Sequence, residues 1–199
     1  MVDQNTFTYI KYMADFGKSH MDMHDFKQRL ANFMELDQWI EEHNASGASW
    51  VAGHNQFSDW HRSEYKKMLG LKSDEDIVRQ PTVYEETNAS YINWIEKGAV
   101  TPVKDQGYCG SCWAFSSTGA LEGAYYLQTG ELETFSEQQL VSCVTQSYGC
   151  GGGWQYRAFE YWINYNAELS SVYPYYSYYG QNYTCQYDYS SKTAKGVAS

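Results

Sequence analysis

The sequence predicts a chain of the α+β class that is mainly helical over its 199 residues and divides into two parts. Within residues 22–44, apolar side chains recur every three or four positions, which is the spacing of one helix face. All five cysteines follow residue 108, so the earlier stretch forms a cysteine-free part of its own. Residues 72–86 are charged, contain a proline and are poor in apolar side chains, which indicates an exposed linker of the kind that proteases cut.

The first part is expected to hold three helices and a short strand. One helix covers residues 22–44 and a shorter one covers residues 5–17. The buried side of the shorter helix is predicted from its apolar spacing to hold Phe7, Ile10 and Ala14, with Tyr9 and Met13 beside them. Residues 50–52 are predicted as a strand, and Ser58 as the cap of a helix that runs to about Leu69.

The second part is expected to contain three further helices. The first begins at Cys112 and runs to about Leu127, where Gly130 supplies the stop. The second begins after Ser136, because a serine followed three residues later by Gln139 is a capping-box pattern. The third covers residues 154–166, and the chain beyond it is rich in tyrosine and turns.

Composition excludes several functional classes. The net charge is −10 with no basic patch, so nucleic acid is not an expected partner. No apolar run approaches the roughly 20 residues that span a bilayer, and no metal or cofactor is expected. The cysteines and three Asn-x-Ser/Thr patterns favour an oxidising compartment, so we expect a secreted or lysosome-like vacuolar protein whose signal peptide is not in the given sequence.

Residues 106–115 carry the most informative pattern. A free thiol has a pKa of about 8.5 and reacts as the thiolate, and a helix N-terminus favours the thiolate because its unpaired N–H groups point at the sulfur. Cys112 stands at such a predicted helix start, and the side-chain amide of Gln106 can stabilise a developing oxyanion. From the residues alone, half of a zinc site, a redox-active pair and purely structural cysteines stay open. The spacing of Cys143 and Cys150 does not favour zinc, and no βαβ pattern supports a redox pair.

This segment resembles the nucleophile segment of papain-like cysteine proteases, in its order of cysteine, glycine, small residue, cysteine and aromatic residue. The resemblance implies that Cys112 is the nucleophile and that Gln106 forms the oxyanion hole. It also implies a mainly helical left lobe of the papain-like fold. Four cysteines allow three pairings, of which the resemblance implies Cys109–Cys150 and Cys143–Cys185.

The glycine-rich stretch after Cys150 resembles the wall of the substrate cleft in the same family. The implied substrate-binding residues are Gly152, Gly153, Trp154 and Gln155. Glycines there allow an extended substrate to pair with the backbone. The family pocket is apolar at the position of Gln155, so this residue departs from the pattern.

Two motifs in the first part resemble the inhibitory propeptide of cathepsin L-type precursors. The first motif consists of Asp25, Arg29, Phe33, Ile40 and Asn44, and the second consists of Gly53, Asn55, Phe57 and Asp59. The resemblance departs at Asp25, where the family prefers glutamate, and at Leu36, where it prefers asparagine. It implies a helical propeptide at 1–80 that inhibits its own protease, a linker and activation region at 81–87, and a papain-like peptidase domain at 88–199. All five histidines lie in the propeptide, so we hypothesise that acid loosens it.

A cysteine protease needs a histidine to accept the thiol proton and to protonate the leaving amine. No histidine follows Cys112. The resemblance therefore covers only the first half of the family's catalytic domain, and the β-rich right lobe with its histidine and asparagine is expected to be absent. We predict a fragment of a cysteine endopeptidase zymogen that acts on peptide or protein substrates, is inactive by itself and is monomeric when complete. The alternative is a truncated inhibitor that acts through its propeptide-like module.

Overall fold

The computed structural model describes residues 3–72, 90–188 and 190, which fall into two compact units, 1–66 and 67–199. Among these described residues, β structure is limited to two isolated bridges. The prediction of a mainly helical chain is confirmed. The predicted activation region, 81–87, lies outside the described residues. No helix within the described ranges is long and apolar enough to cross a membrane.

The first unit is built on two helices, α1 (Gln4–Asp15) and α2 (Met23–Ala45), followed by α3 (Arg62–Met68), which ends across the unit boundary. Asp3 and Asp22 cap α1 and α2, because each carboxylate accepts hydrogen bonds from N–H groups of the first turn. The core between α1 and α2 is formed by Tyr9, Tyr12 and Phe33.

The predicted buried side of α1 was right at Tyr9 and wrong at its other main positions. Phe7, Ile10 and Ala14 are exposed, whereas Tyr9 and Tyr12 are buried. The physical reason is that both tyrosine hydroxyls donate to the buried carboxylate of Asp59, at 3.1 and 3.3 Å. A buried polar group needs such a partner, and periodicity of apolar residues does not register it.

Two further local predictions were wrong. Residues 50–52 do not form a strand, because the backbone of Ala52 pairs with both amide atoms of the Asn44 side chain. Ser58 does not cap a helix. Its hydroxyl accepts the N–H of Asn55 within a turn, and α3 begins only at Arg62.

The second unit packs three helices, α4 (Cys112–Thr129), α5 (Glu137–Cys143) and α6 (Gln155–Asn164), around one core. Two short 3-10 turns, Gly149–Gly151 and Ser177–Tyr179, also occur among its described residues. Gly130 ends α4 in the left-handed conformation at φ 79°, as predicted. Ser136 caps α5 by accepting the N–H of Gln139 at 3.0 Å, also as predicted.

Residues 67–72 belong to the second unit, although the sequence analysis assigned residues up to 80 to the first part. The reason is backbone pairing: the N–H of Gly153 donates to the carbonyl of Gly70, and the N–H of Lys72 donates to the carbonyl of Gly153. This short stretch, residues 67–72, is called the cleft segment below.

Candidate active site

Cys112 is the first residue of α4 and the one cysteine that forms no disulfide bond. It is half-buried. Ser111 occupies the position before the helix, yet its side chain makes no capping hydrogen bond. The partial positive charge of the first turn of α4, where Cys112 lies, is therefore not neutralised by a side-chain cap.

Gln106 directs its side-chain amide at two backbone carbonyls. The Nε2 group donates to the carbonyl of Met68 at 3.0 Å and to the carbonyl of Cys109 at 2.8 Å. Both of its hydrogens are used, since a primary amide has two. The donor that the sequence analysis assigned to an oxyanion is thus engaged by a carbonyl of the cleft segment.

A disulfide bond between Cys109 and Cys150 joins the segment 106–115 to the glycine-rich stretch. The N–H of Gly110 reinforces this junction by donating to the carbonyl of Cys150 at 2.9 Å. The second disulfide bond joins Cys143 to Cys185. These are the two pairs that the family resemblance implies.

The cleft segment runs parallel to the glycine-rich stretch. Leu71 and Gly153 form a parallel bridge, with backbone hydrogen bonds of 2.8 Å from Gly153 to Gly70 and 3.3 Å from Lys72 to Gly153. A side chain at Gly152 would collide with the carbonyl of Gly70, because its Cβ would lie 2.5 Å from that oxygen. The glycines of the predicted wall therefore allow a second backbone to approach.

The aromatic and polar residues of the wall have different environments. Trp113 is fully buried and donates its indole N–H to the carbonyl of Gly149 at 3.1 Å, so it supports the wall from behind. Trp154 is half-buried, and its indole nitrogen is buried without a hydrogen-bond partner. Gln155 donates to the hydroxyl of Ser116 at 3.1 Å, which fixes its amide against α4.

The first propeptide motif lies on α2. Asp25 and Arg29 form an ion pair at 2.8 Å, and Arg29 also reaches Glu64 at 2.7 Å. Burial acts to raise the pKa of both carboxyls, but hydrogen bonds and charge from Arg29 outweigh it and hold both pKa values below their usual range. Phe33 and Ile40 are buried on the same helix.

The second motif forms the turn that follows residue 52. The side chain of Asn55 accepts the N–H of Phe57 at 2.9 Å, and Gly53 has open space around it. Asp59 is fully buried and accepts hydrogen bonds from Tyr9 and Tyr12. Burial, followed by the charge of Asp59, raises the pKa values of these two tyrosines.

The sequence analysis missed a buried ion cluster in the second unit. Lys104 contacts the carboxylates of Glu122 and Glu137 at 2.5 and 2.6 Å. Both carboxylates are almost completely buried. A glutamate on the buried face of α4 is a signal for such a partner, since an isolated buried charge is strongly unfavourable.

Tyr175 was also missed. Its hydroxyl donates to the backbone carbonyl of Gln106 at 2.9 Å and lies 2.8 Å from the hydroxyl of Ser111. Burial raises the pKa of Tyr175 to about 12, so the hydroxyl keeps its proton near neutral pH. No cluster of ligands suited to a metal ion occurs among the described residues.

Comparison with known proteins agrees with this geometry. The family model described as "Papain family cysteine protease" matches residues 88–199, more than half of the chain. The chain belongs to the papain family of cysteine proteases. A second family model, "Cathepsin propeptide inhibitor domain (I29)", matches residues 9–65. The predicted resemblance to a papain-family precursor of cathepsin L type is confirmed.

Similar proteins of the papain family come from distant organisms. The chain is 38% identical over 190 residues to Digestive cysteine proteinase 1 of Homarus americanus, covering 89% of this chain and 58% of that protein. It is 38% identical over 189 residues to Cysteine proteinase 5 of Dictyostelium discoideum, covering 92% and 53% respectively. The chain therefore spans little more than half the length of these two relatives.

The solved structure of digestive procathepsin L 3 from the larval midgut of Tenebrio molitor is similar to this papain-family chain. The TM-score is 0.79 at 32% identity, over 97% of this chain and 64% of that one. The structure of recombinant stem bromelain precursor gives a TM-score of 0.77 at 31% identity, over 92% and 60%. Both solved proteins are precursors by name, as expected for a chain with a propeptide motif.

Proposed function

We propose that this chain supplies the nucleophile and the oxyanion donor of a cysteine endopeptidase in its zymogen form. The observation that carries the proposal is a free cysteine at the uncapped N-terminus of α4, in a unit where the Gln106 amide binds a backbone carbonyl of another segment. The Met68 carbonyl shows that this amide accommodates a carbonyl oxygen. In the enzyme, the oxygen of the scissile bond takes that place.

In the proposed reaction the Cys112 thiolate attacks the carbonyl carbon of the peptide bond. The carbonyl electron pair moves onto oxygen, where the Gln106 N–H stabilises it. Collapse of this intermediate breaks the C–N bond, an imidazolium gives its proton to the leaving amine, and a thioester remains on Cys112. Water then hydrolyses the thioester to release the acid product and the thiol.

The imidazole of this reaction has no candidate after Cys112 in the given sequence. We therefore expect the 199-residue chain by itself to hydrolyse no peptide bond. A natural inhibitor that acts only through its propeptide is not favoured, because the protease family model matches the second part of the chain.

The proposed domain roles follow the family. Residues 1–80 act as the propeptide, residues 81–87 as the activation region and residues 88–199 as the peptidase part. The parallel bridge between Leu71 and Gly153 supports inhibition by a chain of reversed direction, which presents no correctly placed scissile carbonyl. Gly152, Gly153, Trp154 and Gln155 contact peptide or protein substrates in the mature enzyme.

The proposal extends to the setting of the protein. Two disulfide bonds support an oxidising compartment, either a lysosome-like vacuole or the cell exterior. We propose a monomer when complete, without a nucleic-acid partner.

The test is to express the open reading frame that contains this sequence and to measure hydrolysis of a fluorogenic peptide before and after removal of the propeptide. Activity should appear after removal. Cys112→Ser should lower kcat/KM at least about 1,000-fold, and Gln106→Ala should lower it about 100-fold. Gln128→Ala, an exposed glutamine on the same helix, serves as the matched control and should leave kcat/KM unchanged. Full activity of Cys112→Ser would overturn the proposal.

A further inference from the structure

The hydroxyl of Tyr175 lies between two residues that flank the nucleophile. It donates its single proton to the backbone carbonyl of Gln106, because a carbonyl can only accept. The contact of 2.8 Å with Ser111 must therefore run in the other direction, with the serine hydroxyl as donor and the tyrosine oxygen as acceptor. One side-chain oxygen thus joins the residue of the oxyanion donor to the residue directly before Cys112.

The ring of Tyr175 makes a third contact with the same region. It packs edge-on against Phe115, with ring centroids 5.0 Å apart and planes at 83°. Phe115 lies one turn along α4 from Cys112, on the helix that begins at the thiol. Tyr175 therefore contacts the start of α4 at two places, Ser111 through its hydroxyl and Phe115 through its ring.

Tyr175 is itself held by α5. The N–H groups of Tyr176 and Ser177 both donate to the side-chain carbonyl of Gln138, at 2.7 and 2.9 Å. The carbonyl of Tyr173 accepts the hydroxyl of Ser136 at 2.6 Å. The backbone on both sides of Tyr175 is therefore hydrogen-bonded to buried side chains of the core. These hydrogen bonds fix the place of Tyr175 in the second unit.

We propose that Tyr175 is a positioning residue. It fixes the Gln106 backbone relative to the start of α4, so that the oxyanion donor Gln106 and the Cys112 thiol keep a constant distance and orientation. This inference rests on the proposed function. By accepting the Ser111 proton, Tyr175 also fixes the Ser111 hydroxyl, whose oxygen does not cap α4. The Ser111 side chain then does not compete with the thiol for the N–H groups of the first turn.

The first test removes only the hydroxyl, with Tyr175→Phe in the full 199-residue chain. Under non-reducing conditions the disulfides do not react, so iodoacetamide reports on Cys112, and Cys112→Ser supplies the blank. The readout is the ratio of alkylation rates at pH 6 and pH 9. We expect Tyr175→Phe to lower this ratio about threefold, which is the size of a helix-terminus effect. The charges of Glu137 and Asp105, which act on Tyr175, are the same in both chains.

Tyr179→Phe is the matched control, because Tyr179 is highly exposed and lies in the same tyrosine-rich stretch. Its ratio should equal that of the wild type. The second variant, Ser111→Ala, removes the other partner of the same hydrogen bond, so the proposal can still be tested if Tyr175→Phe does not fold. It should lower the ratio of alkylation rates by a smaller factor than Tyr175→Phe. Because both residues act through one hydrogen bond, the double variant should be no worse than Tyr175→Phe alone.

Each outcome separates the two proposals. A wild-type ratio no higher than that of a free cysteine peptide would overturn the assignment of Cys112 as an activated nucleophile, and with it both proposals. An elevated wild-type ratio that Tyr175→Phe and Ser111→Ala leave unchanged would overturn the positioning role alone. A fall in unfolding free energy without a change of ratio would likewise assign Tyr175 a purely structural role.

Discussion

Gly70 and Gly110 lie backbone against backbone in the second unit. A methyl group at Gly70 would stand 1.6 Å from the carbonyl oxygen of Gly110, well inside any allowed contact. The neighbouring atoms belong to the main chain and cannot turn aside as a flexible side chain would. Glycine at position 70 is therefore required for the cleft segment to lie along the glycine-rich stretch.

We predict that Gly70→Ala expels the cleft segment. Trypsin should then cut after Lys67 or Lys72 about tenfold faster than in the wild type, because cleavage follows the population of the open form. Mass spectrometry of timed digests measures this rate. Gly119→Ala is the matched control, since Gly119 lies in α4 with open space around it. Equal rates for Gly70→Ala and wild type would contradict the steric argument.

Lys104 is predicted to be the most important charge for the stability of the second unit. Lys104→Met leaves two buried carboxylates without their cation, and we expect a loss of about 3 kcal/mol in the free energy of unfolding. Urea titration measures it. Lys97→Met, at an exposed position, should change the free energy by less than about 1 kcal/mol. A comparable loss in both variants would show that the buried cluster is not the cause.

Acid is predicted to weaken the first unit through Asp25 and Glu64. Their pKa values in the folded chain lie below the ordinary values of 3.8 and 4.5, so the folded state binds protons less readily than the unfolded state. Their contribution is complete above about pH 5 and is lost as the pH falls through the folded pKa values. Amide hydrogen exchange in α2 should therefore accelerate as the pH falls below about 5, after correction for intrinsic rates.

Arg29→Met tests the origin of that acid dependence. The variant should lose about 2 kcal/mol at neutral pH, because two hydrogen-bonded ion pairs disappear, and its protection should depend less on pH. An unchanged pH dependence would show that the ion pairs of Arg29 are not its origin.

Asp59→Ala is predicted to lower the free energy of unfolding of the first unit by about 3 kcal/mol. The substitution removes the buried carboxylate that accepts hydrogen bonds from the hydroxyls of Tyr9 and Tyr12 and from the ammonium of Lys18. Hydrogen exchange in α1 and α2 measures the loss. Asp15→Ala, at an exposed position of α1, is the control and should differ little from wild type.

Local signals predicted much of the second unit. Gly130 ends α4 and Ser136 begins α5 because each acts on its own helix turn, within a few residues of sequence. Tyr175 could not be found in this way, since its partners lie 64 and 69 positions away. The prediction for α1 failed at Phe7 and Ile10 for the same reason: the buried side of this helix depends on the contact of Tyr9 with Asp59, 50 positions later, which a pattern of apolar residues does not contain.

The two disulfide bonds interleave along the chain, because Cys143 lies inside the loop closed by Cys109 and Cys150, while Cys150 lies inside the loop closed by Cys143 and Cys185. Any single cut between Cys109 and Cys185 therefore leaves both fragments covalently attached. In a compartment that contains proteases, this linkage keeps the chain in one piece after a single cleavage. A nick in this region adds only the mass of one water until reduction separates the fragments, and no fragment diffuses away before then.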